Sequence, residues 1–129
     1  MILADTDVLI DYLAGVQPVV AQITAYLGMG RLQTTVVTCF ELLSGAGEGK
    51  RGEPARRLLA DLTVLPLDRR AAEMAATVRR ELDRTGQAIG MADSLIAGIA
   101  LAHDLPLFTR NRKHFARVGK LQLVESEGI

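Results

Sequence analysis

Short apolar runs alternate along the chain with longer segments whose apolar residues recur at helical spacing. The runs are rich in β-branched and aliphatic residues and are bounded by polar residues or glycine, a pattern typical of buried strands. The first of them, residues 2–4, ends directly before Asp5. We predict strands at residues 2–4, 32–37, 64–65, 107–109 and 121–124.

The longer segments predict helices between the strands. Residues 68–84 carry apolar side chains on one face and arginines on the other, and Gly86 marks the end of this helix. Residues 91–103 are apolar almost all round, which is typical of a buried helix. The other predicted helices are residues 8–13, Pro18 to Gly28 or Gly30, residues 38–44 with Thr38 as the cap, residues 54–62 and residues 113–117. This alternation predicts an α/β fold with a central parallel sheet of short strands and helices on both faces.

Composition limits the class of protein. The chain has 129 residues, 49% of them hydrophobic and 23% charged, with a formal net charge of zero. These values exclude a disordered chain and suit a single domain, which we place at residues 1–129. The lone Cys39 excludes a disulfide scaffold and favours a reducing compartment. We interpret Cys39, His103 and His114 as structural residues.

Zero net charge excludes a broad basic field, so any nucleic acid must be bound by a local patch. The segment 105–124 offers one, because it contains arginines and lysines but no acidic residue.

By its length alone, a charge-free segment at residues 12–30 could span a bilayer. Glycines and Pro18 interrupt it, and its apolar residues lie on one helical face, so we predict no membrane span. The N-terminus has no cationic flank before its apolar residues and is not a secretory signal.

Four polar residues follow the predicted strands or begin the buried helix. They are Asp5, Glu41, Asp93 and Asn111. Each has an ordinary alternative role: Asp5 and Asn111 as helix caps, Glu41 as the partner of Thr38 in a capping box, and Asp93 as an acid near a helix N-terminus. In an open parallel sheet, however, ligands bind where the carboxyl ends of the strands meet, which favours a shared site.

The surroundings of Asp93 favour a cation at that site. Asp93 precedes an apolar helix, and no lysine or arginine lies between Met91 and Pro106 to pair with it. A buried carboxylate without a partner costs several kcal/mol. A divalent cation held by several carboxylates would neutralise the group, and oxygen ligands suit Mg²⁺.

Four segments in series resemble the PIN-domain ribonucleases, and within them the toxin subunits of VapBC-type toxin–antitoxin pairs. These segments are DTDVLID at residues 5–11, ELLSG at 41–45, IGMADSLIA at 89–97 and TRNRKHF at 109–115. The resemblance implies a three-layer α/β/α fold and an endoribonuclease that depends on Mg²⁺ or Mn²⁺. It also implies a cytoplasmic homodimer inhibited by a small antitoxin that occupies the acidic groove.

The resemblance also assigns residues. It implies that Asp5, Glu41 and Asp93 are the catalytic, metal-binding acids, and it places Asn111 at the family's fourth acidic position. We expect supporting roles for Thr6, Asp7 and Thr109, with the two hydroxyls near the metal-bound waters. Contacts to the phosphates of RNA are expected from Arg110, Arg112, Lys113 and Arg117.

Two other interpretations stay open. The motif at residues 5–8 also resembles the nucleophile segment of haloacid-dehalogenase-type phosphatases, and the length suits a receiver domain; both would use Asp5 to form an aspartyl phosphate. The three lysines do not follow an apolar strand as that chemistry requires. A non-catalytic binding module on the same fold is the second interpretation, although the presence of all three acids favours an enzyme.

Overall fold

A computed structural model describes residues 1–125 and contains a four-stranded parallel sheet. The strands are β1 (Ile2–Ala4), β2 (Leu32–Thr35), β3 (Thr63–Leu65) and β4 (Leu107–Phe108). Their spatial order is β3-β2-β1-β4. In register, Ala4 of β1 lies beside Thr34 of β2 and Phe108 of β4.

Helices connect the strands at the positions that the periodicity predicts. They are α1 (Thr6–Leu13), α2 (Val19–Gly28), α3 (Val36–Ala46), α4 (Glu53–Ala60), α5 (Arg69–Arg84), α6 (Met91–Ala102) and α7 (Arg112–Phe115), with one 3-10 turn at Lys50–Gly52. The chain passes from β1 to β3 in one direction across the sheet and then crosses to the opposite edge for β4. Right-handed crossovers that run in opposite directions place their helices on opposite faces of the sheet.

Two apolar cores lie on the two faces of the sheet. Leu3 and Leu107 point into one core, which is completed by α5 and α6. Ala4 and Phe108, their neighbours in sequence, point into the other core, which contains residues of α1 to α4. Successive residues of a strand face opposite sides, so β1 and β4 each contribute to both cores. The predicted three-layer α/β/α architecture is confirmed.

Helices α5 and α6 pack closely against each other at Gly98. A Cβ atom built on Gly98 would lie 2.5 Å from the backbone oxygen of Ala71 and 2.6 Å from the Cβ of Ala75. Glycine therefore permits the approach of the two backbones, and α6 is held against α5 with Asp93 in its first turn.

Two of the predicted elements are corrected by the structure. The strand predicted at 32–37 ends at Thr35, because the Thr35 hydroxyl accepts a hydrogen bond from the backbone N–H of Thr38 and starts α3 two residues earlier than expected. The segment predicted as a strand at 121–124 makes a single parallel bridge, between Leu123 and Leu107.

Within residues 1–125, none of the helices has the length and apolar character required to cross a membrane.

Candidate active site

Two polar residues follow adjacent strands at the point where the order of strands in the sheet reverses, between β1 and β4. Asp5 follows β1, Thr109 follows β4, and these strands are neighbours in the sheet. The backbone N–H of Asp5 donates to the carbonyl of Phe108 at 2.9 Å, which extends the pairing to the first residue of the site. Ligand sites of open α/β sheets form at such a reversal, outside the carboxyl ends of the strands.

Asp5 is buried and fully hydrogen-bonded. The residue is 5% exposed. Its Oδ1 accepts a hydrogen bond from the backbone N–H of Thr6 at 2.8 Å, and its Oδ2 accepts one from the Thr109 hydroxyl at 2.7 Å. Burial raises the pKa of Asp5 to about 7, the nearby Asp7 carboxylate adds to the rise, and the two hydrogen bonds oppose it. Asp5 therefore caps α1 and also faces the site.

Asp7 binds the segment that follows β4. Both of its carboxylate oxygens accept from the backbone N–H of Arg110, at 3.2 and 3.1 Å. The Thr109 hydroxyl lies 3.3 Å from Oδ2 of Asp7. These contacts hold the start of α1 against the loop that carries Asn111.

Glu41 is held by a threonine of another helix. Its Oε1 accepts from the Thr6 hydroxyl at 2.6 Å, and the Thr6 hydroxyl lies 3.0 Å from that of Thr38. The prediction of Thr38 as the cap of α3 is wrong, because Thr35 caps this helix. The alternative role of Glu41 in a capping box with Thr38 is also excluded, because the Glu41 carboxylate points to α1. Glu41 is thus directed toward the N-terminus of α1, where Asp5 lies.

Asp93 lies in the first turn of α6 and contacts the loop after β4. The side-chain Nδ2 of Asn111 donates to Oδ2 of Asp93 at 3.3 Å and lies 3.0 Å from Nδ1 of His114. His114 Nδ1 is 3.7 Å from the same Asp93 oxygen. Burial raises the pKa of Asp93, His114 opposes the rise, and the carboxylates of Glu41 and Asp7 add to it.

The four carboxylates thus form one electrostatic cluster, defined here as Asp5, Asp7, Glu41 and Asp93. Asp7 and Asp93 each raise the pKa of Asp5, and Glu41 and Asp7 each raise that of Asp93. Within residues 1–125, none of the four forms an ion pair with a lysine or arginine side chain. The acid cluster therefore concentrates negative charge that the described part of the chain leaves uncompensated.

The donor set of the acid cluster suits a hard divalent cation. Carboxylate oxygens and the Asn111 amide oxygen are ligands of the type that Mg²⁺ and Mn²⁺ take. In the described residues, however, no three His, Cys, Asp or Glu side chains lie close enough together to hold a metal ion as they stand. Binding of one ion by three of these acids therefore requires their side chains to turn toward one another.

Three of the four predicted RNA-binding residues are already held by the fold. Arg110 pairs with the buried carboxylate of Asp11, and Arg112 donates to the carbonyl of Val124. Arg117 donates to the carbonyls of Gln87 and Ala88 at 3.4 and 3.1 Å. Lys113 is exposed, and no hydrogen bond or ion pair to its side chain is found in the part of the chain that the structure describes.

Two surface grooves meet at Glu41. One, of about 590 Å³, lies between α1, α3 and α4 and includes Ile10 and Arg51. The other, of about 350 Å³, is lined by apolar side chains that include Phe40 and Met91. Phe40 and Met91 are 69% and 66% exposed, which is high for large apolar residues. A ligand longer than a single phosphate can therefore contact the acid cluster and a groove together.

Sequence reasoning missed three residues of the site region: Asp11, Thr38 in its contact with Thr6, and His114. The spacing held a signal for two of them. Asp11 is four residues after Asp7 and His114 three residues after Asn111, so each pair shares a helix face.

Comparisons with known proteins agree with this architecture. Residues 2–121 match the PIN domain family. The chain is 37% identical over 122 residues to ribonuclease VapC10 of Mycobacterium tuberculosis, which covers 95% of this chain and 91% of that protein. It is 34% identical over 102 residues to the tRNA(fMet)-specific endonuclease VapC of Shigella flexneri, covering 74% and 76%. The crystal structure of DNA-bound VapBC from Salmonella typhimurium matches with a TM-score of 0.84 at 25% identity, over 95% of this chain and 96% of that one.

Proposed function

This chain belongs to the PIN-domain family, and from that premise we propose that it is a metal-dependent endoribonuclease and the toxin of a VapBC-type toxin–antitoxin pair. The single observation that carries the proposal is the acid cluster, which is built from three separate parts of the chain at the edge of the sheet. The similarity to VapC ribonucleases over nearly the whole chain supports it.

Residues 1–129 act as one domain in this proposal, and the acids hold the cofactor. Asp5, Glu41 and Asp93 bind Mg²⁺ or Mn²⁺, with the Asn111 amide beside them. When bound, such an ion lowers the pKa of a coordinated water and stabilises the charge that develops on the attacked phosphate. Without that ion, the carboxylates would repel the RNA phosphates.

The chain's own groups orient the reacting parts. Thr109 and the N–H of Thr6 hold the Asp5 carboxylate, and the Thr6 hydroxyl holds Glu41. Lys113 is an exposed cation of α7, the helix that follows β4, and in this proposal it contacts a flanking phosphate.

The partners follow from the same proposal. We expect a homodimer in the cytoplasm and an antitoxin that covers the acidic groove. Because no lysine or arginine pairs with the acid cluster within residues 1–125 and the cluster borders exposed Phe40 and Met91, the inhibitory segment should combine basic and apolar side chains.

An aspartyl-phosphate mechanism at Asp5 is less well supported. The Asp5 carboxylate contacts Thr6 and Thr109, and no lysine contributes to its electrostatic environment within residues 1–125. A nucleophilic Asp that accepts a phosphoryl group needs a cation at the transferred oxygens.

The test is RNA cleavage by the purified chain with Mg²⁺ or Mn²⁺. Asp5→Asn and Asp93→Asn should each lower the cleavage rate by at least about 100-fold, because they remove metal ligands. Asp83→Asn, an exposed acid at the end of α5, is the matched control and should cleave normally. Full activity of Asp5→Asn would contradict the assignment.

The toxin role has its own test in growing cells. Expression of the wild-type chain should arrest growth, and co-expression of its antitoxin should restore it, whereas Asp5→Asn should not arrest growth. Equal arrest by both versions would indicate toxicity without nuclease activity.

A further inference from the structure

The larger of the two grooves at Glu41 leads away from the acid cluster. The Thr6 hydroxyl contacts Glu41, and beyond this contact both α1 and α3 continue toward their C-terminal ends. The groove follows them, because it is lined by Ile10 and Leu13 of α1. It is also lined by α3 between Glu41 and Ala46. Five residues of α-helix extend about 7 Å, a length comparable to the spacing of neighbouring phosphates in an extended RNA strand.

An arginine lines this groove beyond the end of α3. Arg51 belongs to the 3-10 turn at Lys50–Gly52, and its side chain is exposed. Within residues 1–125, no hydrogen bond or ion pair to the Arg51 side chain is found. Its guanidinium group is therefore available to an anion that occupies the groove.

The loop that carries Arg51 is held in place from α4. Both amino groups of Arg56 donate to loop carbonyls, Nη1 to Gly47 at 3.3 Å and Nη2 to Gly49 at 2.6 Å. A Cβ atom built on Gly52 would lie 2.4 Å from the carbonyl oxygen of Gly47, so only glycine fits where the loop returns to α4. The backbone is thus fixed on both sides of Arg51.

The groove combines apolar walls with this cation. Ile10 is 51% exposed and lines the groove together with Leu13 and Leu42. A nucleotide has matching parts, since its base packs on apolar side chains and its phosphate pairs with a guanidinium group. The antitoxin segment that we expect at the acid cluster is basic and would be repelled by Arg51. Charge complementarity therefore favours RNA in this groove.

We propose that this groove, called the Arg51 groove here, binds the nucleotide next to the cleaved bond of the RNA, with Arg51 on its phosphate. This inference rests on the proposed function, because Glu41 of the acid cluster places the cleaved bond at the start of the groove. Arg51 is then a phosphate contact separate from Lys113, which lies in α7. Such local contacts are what a chain of zero net charge requires.

The test is binding of a labelled single-stranded RNA oligonucleotide of mixed sequence, measured by fluorescence anisotropy over a series of salt concentrations. Every protein carries Asp5→Asn so that the RNA stays intact. One phosphate contact contributes about 0.7 to the slope of log affinity against log salt, so Arg51→Gln should reduce the slope by about 0.7 and weaken binding about 5-fold at about 0.1 M salt. Arg51→Lys keeps the charge and should keep the slope.

Arg31→Gln is the matched control. Arg31 is also exposed, but it precedes β2 and so lies at the end of the sheet opposite to the acid cluster. This substitution should change neither the affinity for RNA nor the slope.

The apolar walls of the Arg51 groove have a separate signature. Ile10→Ser should weaken RNA binding without changing the slope, because an apolar contact releases no counterions. Val16→Ser is its control, since Val16 is 44% exposed and lies beyond the end of α1, outside the lining of the groove.

Three results would overturn the inference: an unchanged slope in Arg51→Gln, an equal change in Arg31→Gln, or no RNA binding by the Asp5→Asn protein. Normal RNA binding by Arg51→Gln and Ile10→Ser together with weaker binding of the antitoxin would also overturn it, and would assign the groove to the antitoxin.

The outcomes also separate this inference from the proposed function. If the groove variants bind RNA normally and the wild type cleaves RNA, the ribonuclease proposal stands and the Arg51 groove is refuted. If Arg51 and Ile10 contribute as expected but the wild type cleaves no RNA, the ribonuclease proposal fails while the RNA-binding groove stands.

Discussion

At the scale of single residues, one buried hydroxyl links the main parts of the site. Thr109 is 4% exposed, donates to Oδ2 of Asp5 at 2.7 Å and accepts from the backbone N–H of Asn111 at 2.9 Å. Its single hydrogen goes to Asp5 because that distance is shorter than the 3.3 Å to Asp7. The loop that carries Asn111 is thereby attached to the acid at the end of β1.

The free-energy cost of burying charge in the acid cluster falls mainly on Asp5. Burial raises its pKa from 3.8 to about 7. Between these values the unfolded chain has released the proton while the folded chain keeps it, so folding stability falls as the pH rises from about 4 to about 7. Above this range the folded protein holds a buried charge whose penalty is fully present until a cation compensates it.

We predict that Asp5→Asn stabilises the metal-free protein at pH 8 and leaves its stability at pH 4 unchanged. A rise of about three pKa units, at about 1.4 kcal/mol per unit, sets an upper limit of about 4 kcal/mol for the gain at pH 8. The measurement is urea unfolding in the presence of EDTA at both pH values. Asp83→Asn should change neither value, and an equal shift of Asp5→Asn at both pH values would refute the argument.

At the scale of elements, the position of Asp93 depends on how closely α6 packs on α5. Gly98 makes that packing possible, because a Cβ there would collide with the backbone of Ala71 and with Ala75. Both of these neighbours belong to α5 and are buried, so they cannot move away without disturbing the core.

We predict that Gly98→Ala destabilises the fold by about 1–3 kcal/mol, the usual cost of overpacking a core. Gly28→Ala is the control, since Gly28 is also a helical residue, has no positive φ, and has nothing within 4 Å of the added atom. Urea unfolding at one pH measures both. A loss in the control as large as that in Gly98→Ala would show that the close contact is not the cause.

The segment 110–117 also shows why charge patterns alone do not identify binding residues. Arg112 and Arg117 donate to backbone carbonyls of distant segments, and Arg110 pairs with Asp11. Their guanidinium groups are therefore used to fasten α7 and its loop. The basic run supports the site structurally, and Lys113 is its exposed member for which no hydrogen bond or ion pair is found within residues 1–125.

At the scale of the whole molecule, zero net charge limits how RNA is bound. A chain without a basic field must rely on the metal site and on a few local cations. Each phosphate contact to single-stranded RNA contributes about 0.7 to the slope of log affinity against log salt.

We therefore predict a shallow salt dependence of RNA binding, with a slope between about −1 and −3. The measurement is fluorescence anisotropy, with Asp5→Asn present in every variant to prevent cleavage of the RNA. Lys113→Gln should weaken RNA binding and reduce the slope by about 0.7. Lys120→Gln, which lies near α5, is the control. If Lys120→Gln reduces the slope and Lys113→Gln does not, RNA binds on the side of the protein that carries α5 and not beside α7.

The sequence by itself predicted the alternation of strands and helices and singled out the acids, because periodicity and strand-bounding residues act locally. The α5 stripe and the apolar α6 were predictable for this reason. The boundary between β2 and α3 was predicted two residues too late. The resemblance of four segments added the family before any contact was known.

Only the tertiary structure decided the strand order, the cap of α3, the partner of Glu41 and the use of the arginines. These features depend on contacts between residues far apart in sequence: Thr109 bonds to Asp5 across 104 positions, and Thr6 to Glu41 across 35. Local spacing determines the face of a helix or strand on which a side chain lies. The packing of the helices on the sheet determines which distant group contacts that side chain. His114 was missed for the same reason, since its contacts join those of Asp93 and Asn111 only when α6 brings Asp93 to Asn111.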